Sequence, residues 1–115
     1  MYKITLKDMV KGRIKKSKRR DGVKIIRDIL EIAWEGSRKT RIMFQANLNP
    51  RLLKKYLEFC LKHGLLEEVE GKYYTTEKGK KYIKLYSEIA ELEERYSILS
   101  DSLVSLLSDT KHLTP

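Results

Sequence analysis

The sequence predicts a mainly α-helical chain with one small β-hairpin, and three observations support this fold class. Apolar residues recur at helical spacing in several segments, two short runs of β-type residues flank Gly71, and apolar residues continue at alternating spacings of three and four to residue 106. Charge is also divided: residues 1–64 carry a net +12 and residues 65–115 a net −3. A cationic half of this kind indicates a polyanionic partner such as a nucleic acid.

Several other classes are disfavoured by composition. No apolar run approaches the ~18 residues that span a bilayer, and residues 1–8 lack the apolar core of a signal peptide. Cys60 is the single cysteine, which excludes an internal disulfide and favours a cytoplasmic protein. His63 and His112 are the only histidines, too few for a usual zinc site, and the glycines form no phosphate-binding loop. We therefore expect a protein that is not an enzyme, with no cofactor, metal, membrane partner or small-molecule ligand.

Residues 1–20 are predicted to form a basic arm. Leu6, Met9, Val10 and Ile14 have the spacing of a short helix, and seven cations follow within residues 11–20. The arm is either a solvated tail or a source of extra phosphate contacts. In the second case the contacting residues are Lys15, Lys16, Lys18, Arg19 and Arg20.

Three helices are predicted next. Residues 22–35 are amphipathic, with Asp21 as cap and Gly36 as end, and Trp34 on the apolar side is expected in the core. Residues 38–46 form a shorter helix that Ser37 is expected to cap. The "NLN" segment, residues 47–49, predicts a tight turn, and a third helix then runs from the Asn49 cap to residue 63.

The segment "LLEEVEGKYYTT" predicts a hairpin, and Thr76 is placed to cap a fourth, long helix. The resulting order is helix, helix, tight turn, helix, hairpin and long helix. This order is the plan of a winged helix-turn-helix domain. We therefore predict an arm over residues 1–20, a winged helix-turn-helix domain over 21–76 and a dimerisation helix, a coiled coil, over 77–110.

The third helix carries its charges in an unusual place. Arg51, Lys54 and Lys55 lie in its first two turns, where the helix dipole disfavours cations by about 0.3–1 kcal/mol each. A nearby phosphate would reverse the sign of that cost, because the same amides and cations attract anions. The pattern therefore favours a DNA-facing helix over an ordinary solvated one.

Helix-turn-helix docking assigns separate roles to the neighbouring residues. The first helix of the pair lies over the phosphate backbone, and the second reads bases. Candidate phosphate contacts are Ser37, Arg38, Lys39, Thr40 and Arg41, and candidate base contacts are Asn49, Arg51, Lys54 and Lys55. The hairpin holds Glu67, Glu68 and Glu70, so its only candidate is Lys72 at the tip. Any of these residues taken singly is equally consistent with a solvated surface charge.

The fourth helix carries a heptad pattern that predicts a partner helix. Its a and d positions are Tyr82, Leu85, Ile89, Leu92, Tyr96, Leu99, Leu103 and Leu106. A homodimer explains the length of the pattern. An antiparallel register sets Glu88 against Arg95 of the partner, whereas a parallel one opposes Glu88 to Glu93.

The run from Lys39 to Gly79, together with the long helix that follows it, resembles archaeal winged-helix DNA-binding proteins over about residues 22–110. The similarity rests on Lys39–Ile42, on Asn47 with Leu48, on Leu57 with Gly64 and Leu65, and on "YTTEKG" at residues 74–79. That group includes small chromatin-associated proteins and transcriptional regulators that dimerise through an antiparallel C-terminal coiled coil. The resemblance implies binding of double-stranded DNA by the third helix, with the hairpin as wing.

The sequence thus predicts a homodimeric transcriptional regulator in the cytoplasm, associated with the nucleoid. Two alternatives remain open: a sequence-tolerant chromatin organiser that bridges duplexes, and a coiled-coil adaptor for another protein. Charge does not distinguish DNA from RNA.

Overall fold

The structure is a computed structural model, and it describes residues 18–108, with side chains over 22–107. The elements follow in the order α1 (Lys18–Ile32), β1 (Ser37–Arg38), α2 (Lys39–Gln45), α3 (Pro50–Lys62), β2 (Leu66–Val69), β3 (Lys72–Thr75) and α4 (Glu77–Ser108). The strands form one antiparallel sheet in the order β1-β3-β2. The predicted mainly α fold with a hairpin and a long last helix is confirmed; β1 was not predicted.

Helix α1 begins four residues before the predicted start and ends three residues before the predicted end. Its last carbonyl groups already have partners: Ser37 Oγ donates to Ile32 O at 2.8 Å, and Thr75 N donates to Ala33 O at 3.0 Å. The chain therefore leaves the helix before Trp34. The expectation that Trp34 lies in the core is wrong, because its side chain is 43% exposed and carries the Lys80 ammonium over its ring.

The turn between α2 and α3 is as the sequence predicts. Asn47 adopts a left-handed backbone with φ of 54°, and Leu48 N donates to Met43 O at 2.9 Å. Asn49 then caps α3, accepting a hydrogen bond from Leu52 N at 2.8 Å. The predicted cap of α2 is wrong: Ser37 lies in β1, and Arg38 occupies the cap position without a side-chain hydrogen bond.

Helix α3 ends in the Schellman arrangement, with Gly64 at φ of 70°. Gly64 N donates to Leu61 O at 3.1 Å and Leu65 N donates to Cys60 O at 2.8 Å. The core of the described domain lies between α3 and the other elements, and α1, α2, α3, β2 and β3 contribute to it. Its buried apolar residues are Ile26, Ile29, Leu30, Ala33, Ile42, Leu53, Leu57, Cys60, Leu65, Leu66 and Tyr73.

Helix α4 starts against the end of α3. Thr76 caps it, since Gly79 N donates to Thr76 Oγ1 at 3.1 Å, and Thr76 N donates to Leu65 O at 3.1 Å. Lys78 Nζ donates to His63 O at 2.7 Å. The described residues up to Ser87 form one compact unit, and those from Glu88 onward belong to a second.

Gly79 has no room for a side chain. A Cβ atom there would overlap the carbonyl oxygen of Leu65 and lie 2.6 Å from the Thr75 methyl carbon. Gly79→Ala should therefore lower the free energy of unfolding by about 1–3 kcal/mol, the usual range for overpacking. Elsewhere in a helix the same change is stabilising by about 0.5–1 kcal/mol.

Urea denaturation followed by circular dichroism measures this effect. Lys81→Ala is the matched control, because Lys81 is exposed two residues further along α4. The control should stay within about 0.5 kcal/mol of the wild type. An unchanged or higher midpoint for Gly79→Ala would contradict the proposed close contact.

Candidate nucleic-acid interface

Helix α3 separates an apolar face from a charged one. Leu53, Leu57 and Cys60 are buried against the core. The opposite face is exposed and consists of Arg51, Lys54, Lys55, Glu58 and Lys62. Within the described residues, none of these five side chains forms an ion pair. The face therefore presents four uncompensated cations and one acid to solvent.

The N-terminus of α3 concentrates positive charge. The N-terminal turn has no acidic residue, although acids are the residues that stabilise this end of a helix. Arg51, Lys54 and Lys55 instead add to the positive end of the helix dipole, and Arg51 lies at i+3 and i+4 spacing from the two lysines. This end of the helix is suited to bind an anion.

The starts of α2 and α3 lie along one open groove of about 450 Å³. Lys39 and Thr40 line it from α2, and Pro50 and Lys54 line it from α3. Arg41 is also exposed on α2. The structure thus brings predicted phosphate-binding and base-reading residues to one surface.

Ser37 does not belong to this surface. Its side chain is 3% exposed, and its hydroxyl donates to Ile32 O. The expected phosphate contact by Ser37 is therefore wrong, because the hydroxyl is used to end α1. Asn49 is exposed, but its Oδ1 accepts the capping hydrogen bond from Leu52 N, which leaves its amide NH₂ for a partner.

Two cations lie side by side at the sheet. Arg38 in β1 pairs directly with Lys72 in β3, so both side chains project from the face opposite buried Ser37 and Tyr73. The two-residue turn between β2 and β3 has positive φ at Glu70 and at Gly71, as a type I′ turn requires. The sequence predicted Arg38 on the second helix, because a strand of two residues is too short to show an alternating pattern.

One hairpin acid faces away from these cations. Glu68 pairs with Tyr73, on the face of the sheet opposite Lys72. Burial raises the pKa of Tyr73, and the charge of Glu68 and a hydrogen bond with it raise this pKa further. The hairpin face that carries Arg38 and Lys72 is therefore less acidic than the sequence suggests.

The basic arm lies largely outside the described residues. Lys15 and Lys16 precede them, and Lys18, Arg19 and Arg20 fall in the first turn of α1, where the backbone alone is described. The proposed contacts of these five cations stay predictions, as does the division of the chain into arm, domain and dimerisation helix.

The described residues offer no arrangement for catalysis by the cysteine or for metal binding. Burial raises the pKa of the Cys60 thiol to about 12, so the thiolate that would act as nucleophile is disfavoured. The His63 ring packs against Phe59 with ring centroids 4.2 Å apart. No group of three metal-ligating side chains occurs among residues 22–107. None of the helices within residues 18–108 combines the length and the hydropathy that a membrane span needs.

Helix α4 carries an exposed apolar stripe. Its members are Leu85, Ile89, Leu92, Leu99, Leu103 and Leu106, each between 45% and 67% exposed. These are six of the eight predicted heptad positions. Tyr82, the first position, packs instead on the core of its own domain, and its hydroxyl donates to Val23 O at 2.9 Å. Its place in the dimer seam stays a prediction.

Comparison with known proteins agrees with this architecture. The winged helix-turn-helix family matches residues 19–94. The chain belongs to that family. It is 42% identical over 77 residues to an uncharacterized protein of Methanocaldococcus jannaschii, a match of 66% of this chain and 76% of the relative. It also resembles the crystal structure of Sso10a-2, a DNA-binding protein from Sulfolobus solfataricus, with a TM-score of 0.65 and 30% identity over 74% of this chain and 94% of that one. The resemblance to archaeal winged-helix proteins is confirmed.

In winged helix-turn-helix terms, α2 and α3 are the helix pair and the β2–β3 hairpin is the wing. Strand β1 extends the wing to a three-stranded sheet and carries Arg38. The family match ends at residue 94 and so includes the first half of α4.

The cations at the start of α3 should lower the free energy of unfolding of the protein when no DNA is bound. Arg51→Gln should raise the free energy of unfolding by about 0.3–1 kcal/mol at low salt, because it removes a cation from the first turn, at the positive end of the dipole. Lys54→Gln should raise it by less, because the effect of the dipole falls off beyond the first turn. Lys62→Gln is the matched control at the negative end of the same helix. It should lower the free energy of unfolding, because a cation is favourable there.

Urea denaturation in low and high salt measures both effects. The gain from Arg51→Gln should shrink as salt screens the dipole. If Arg51→Gln destabilises the protein as much as Lys62→Gln does, the cations at the N-terminus of α3 do not lower its stability.

Proposed function

We propose that the protein binds double-stranded DNA, with α3 in the major groove. The observation that carries the proposal is the exposed face of α3, where four cations have no acidic partner among the described residues. Sso10a-2, which has the same fold and 30% identity, is a DNA-binding protein. The cost of placing cations at the start of α3 is offset when phosphates bind there.

The residues around α3 supply the phosphate contacts in this proposal. Lys39, Thr40 and Arg41 begin α2, the helix that crosses the backbone in helix-turn-helix docking. Arg38 and Lys72 form the second contact at the sheet. The arm cations Lys15, Lys16, Lys18, Arg19 and Arg20 add sequence-independent affinity. Base reading falls to Asn49, Arg51, Lys54 and Lys55.

We further propose a homodimer formed through α4. Six apolar residues of the heptad pattern form the exposed stripe on one face of α4. An exposed apolar stripe of this length is unusual on a monomer and typical of an interaction surface. An antiparallel pairing matches Glu88 with the partner's Arg95.

The function is then transcription regulation by binding alone, in the cytoplasm and associated with the nucleoid. The protein needs no cofactor and no catalytic group for this role. A chromatin organiser that bridges duplexes is the second candidate, because a dimer holds two copies of α3. A coiled-coil adaptor would leave the cations of α3 without a role.

Salt-dependent DNA binding tests the first proposal. The Arg51→Ala/Lys55→Ala variant should bind a duplex at least tenfold more weakly, because two base contacts of about 1–3 kcal/mol each are lost. The slope of log affinity against log salt should change little, because the phosphate contacts of α2 and the sheet remain. Fluorescence anisotropy with a labelled duplex measures both quantities, and a matched single-stranded RNA tests the choice of polymer.

The control is Lys81→Ala/Lys84→Ala, which removes the same charge from exposed positions on α4. It should change affinity far less. Equal binding by wild type and the α3 variant across the salt range would refute α3 as the DNA-binding helix.

Light scattering tests the dimer. The wild type should have twice the 13.6 kDa chain mass at micromolar concentration. Leu99→Asp places a charge in the apolar stripe and should shift the protein to the monomer mass, because burying an unpaired carboxylate is costly. Ser105→Asp adds the same charge at a c position, off the stripe, and should stay dimeric; a wild type of monomer mass would disprove the proposal.

A further inference from the structure

Glu58 lies at the centre of the charged face of α3. At 100° per residue, Arg51, Glu58 and Lys62 project within about 40° of one another. Two open grooves flank the helix, one toward α2 and β3 and one toward α1, and Glu58 lines both of them. Lys54 lines only the first and Lys55 only the second. Glu58 is therefore the residue on the ridge between them.

A purely stabilising role for Glu58 would require an ion pair along the helix. Lys54 and Lys62 lie four residues away on either side, the spacing at which such pairs form. Among the described residues, Glu58 forms a salt bridge with neither lysine. The carboxylate is exposed and remains available to an external partner.

A carboxylate on this ridge can bind only to the few groups of DNA that donate a hydrogen bond. A carboxylate is an acceptor without donors, and phosphate and sugar-bound oxygens offer it only repulsion. The major groove offers donors in two places: the N4 amine of cytosine and the N6 amine of adenine. Glutamate accepts from cytosine N4, whereas the bidentate pairing with adenine needs the donor and acceptor of an amide.

We propose that Glu58 determines sequence specificity by accepting a hydrogen bond from cytosine N4 in the major groove. The inference rests on the proposed binding of DNA by α3. Duplexes with cytosine at the facing position satisfy the carboxylate, adenine offers N6 beside an N7 acceptor that repels it, and guanine and thymine offer no donor. Glu58 thus lowers affinity for random DNA and favours a regulator that reads a site over a sequence-tolerant organiser.

Selection from a randomised duplex library tests this role with the full chain. The wild type should enrich cytosine at one position of each half-site, by about fivefold or more over other bases. Glu58→Gln should shift that position to adenine, since glutamine pairs with adenine N6 and N7. Glu58→Ala should lose the preference and bind random duplex more tightly than the wild type.

Glu94→Gln is the matched control. It removes the same charge from an exposed f position of α4, remote from the apolar stripe, and should keep the wild-type preference. Equal thermal midpoints for the Glu58 variants and the wild type establish that folding is unchanged. A shift in base preference is a readout that a helix-stabilising role would not produce.

The outcomes separate this inference from the proposed function. If Arg51→Ala/Lys55→Ala loses binding but the Glu58 variants select the same sites as the wild type, the specificity role is overturned and DNA binding by α3 stands. A wild type without base preference likewise overturns it. If the Arg51→Ala/Lys55→Ala variant binds as the wild type does, the proposed function itself fails.

Discussion

The junction between α3 and α4 is the constraint on which the rest of the winged domain depends. The Leu65 carbonyl accepts from Thr76 N, and Gly79 approaches the same oxygen so closely that no side chain fits. Lys78 donates to His63 O at the end of α3. These contacts fix α3 to the first turn of α4. They also satisfy carbonyl groups that a helix end otherwise leaves without partners. Because the hairpin is the segment between these two ends, the wing is closed by the same junction.

Stability and the proposed DNA binding make opposite demands on α3. Its buried face contributes Leu53, Leu57 and Cys60 to the core, and burial of such side chains stabilises by about 1.5–3 kcal/mol each for the leucines. Its exposed face costs some of that gain, because cations occupy the end of the helix where acids are favoured. The Asn49 cap and Pro50 offset part of this cost, because a capping Asn and a Pro at the first helical position both favour a helix that begins at Pro50. A helix selected only to fold would not carry this charge pattern.

Much of the fold was predictable because it follows from local rules. Helical periodicity identified the helices, the left-handed preference of Asn47 identified the turn, and the β-type runs around Gly71 identified the hairpin. The errors came where a tertiary contact decides the outcome. Ser37 and Trp34 were misplaced because β1 and the Thr75 hydrogen bonds end α1 early, and a two-residue strand leaves no pattern in the sequence. Tyr82 fits the heptad but packs on its own domain, since spacing alone does not say which apolar surface a side chain will meet. Glu58 was visible on the charged face, but its position between two grooves required the structure.

Sequence reading by α3 and dimerisation by α4 depend on one another in the proposed function. Arg51 to Lys62 spans about 16 Å of helix at 1.5 Å per residue, a length that faces about five base pairs. A half-site of five base pairs recurs too often in a genome to define a target. Two copies of α3 held by one dimer double the length that is read, and linked binding raises the affinity for paired half-sites without any new contact. A residue that lowers the affinity for wrong bases therefore has its largest effect in a dimer, because each of the two copies of α3 contributes the loss of affinity. In the proposed function, the apolar stripe of α4 and the single acid on α3 therefore both serve selectivity.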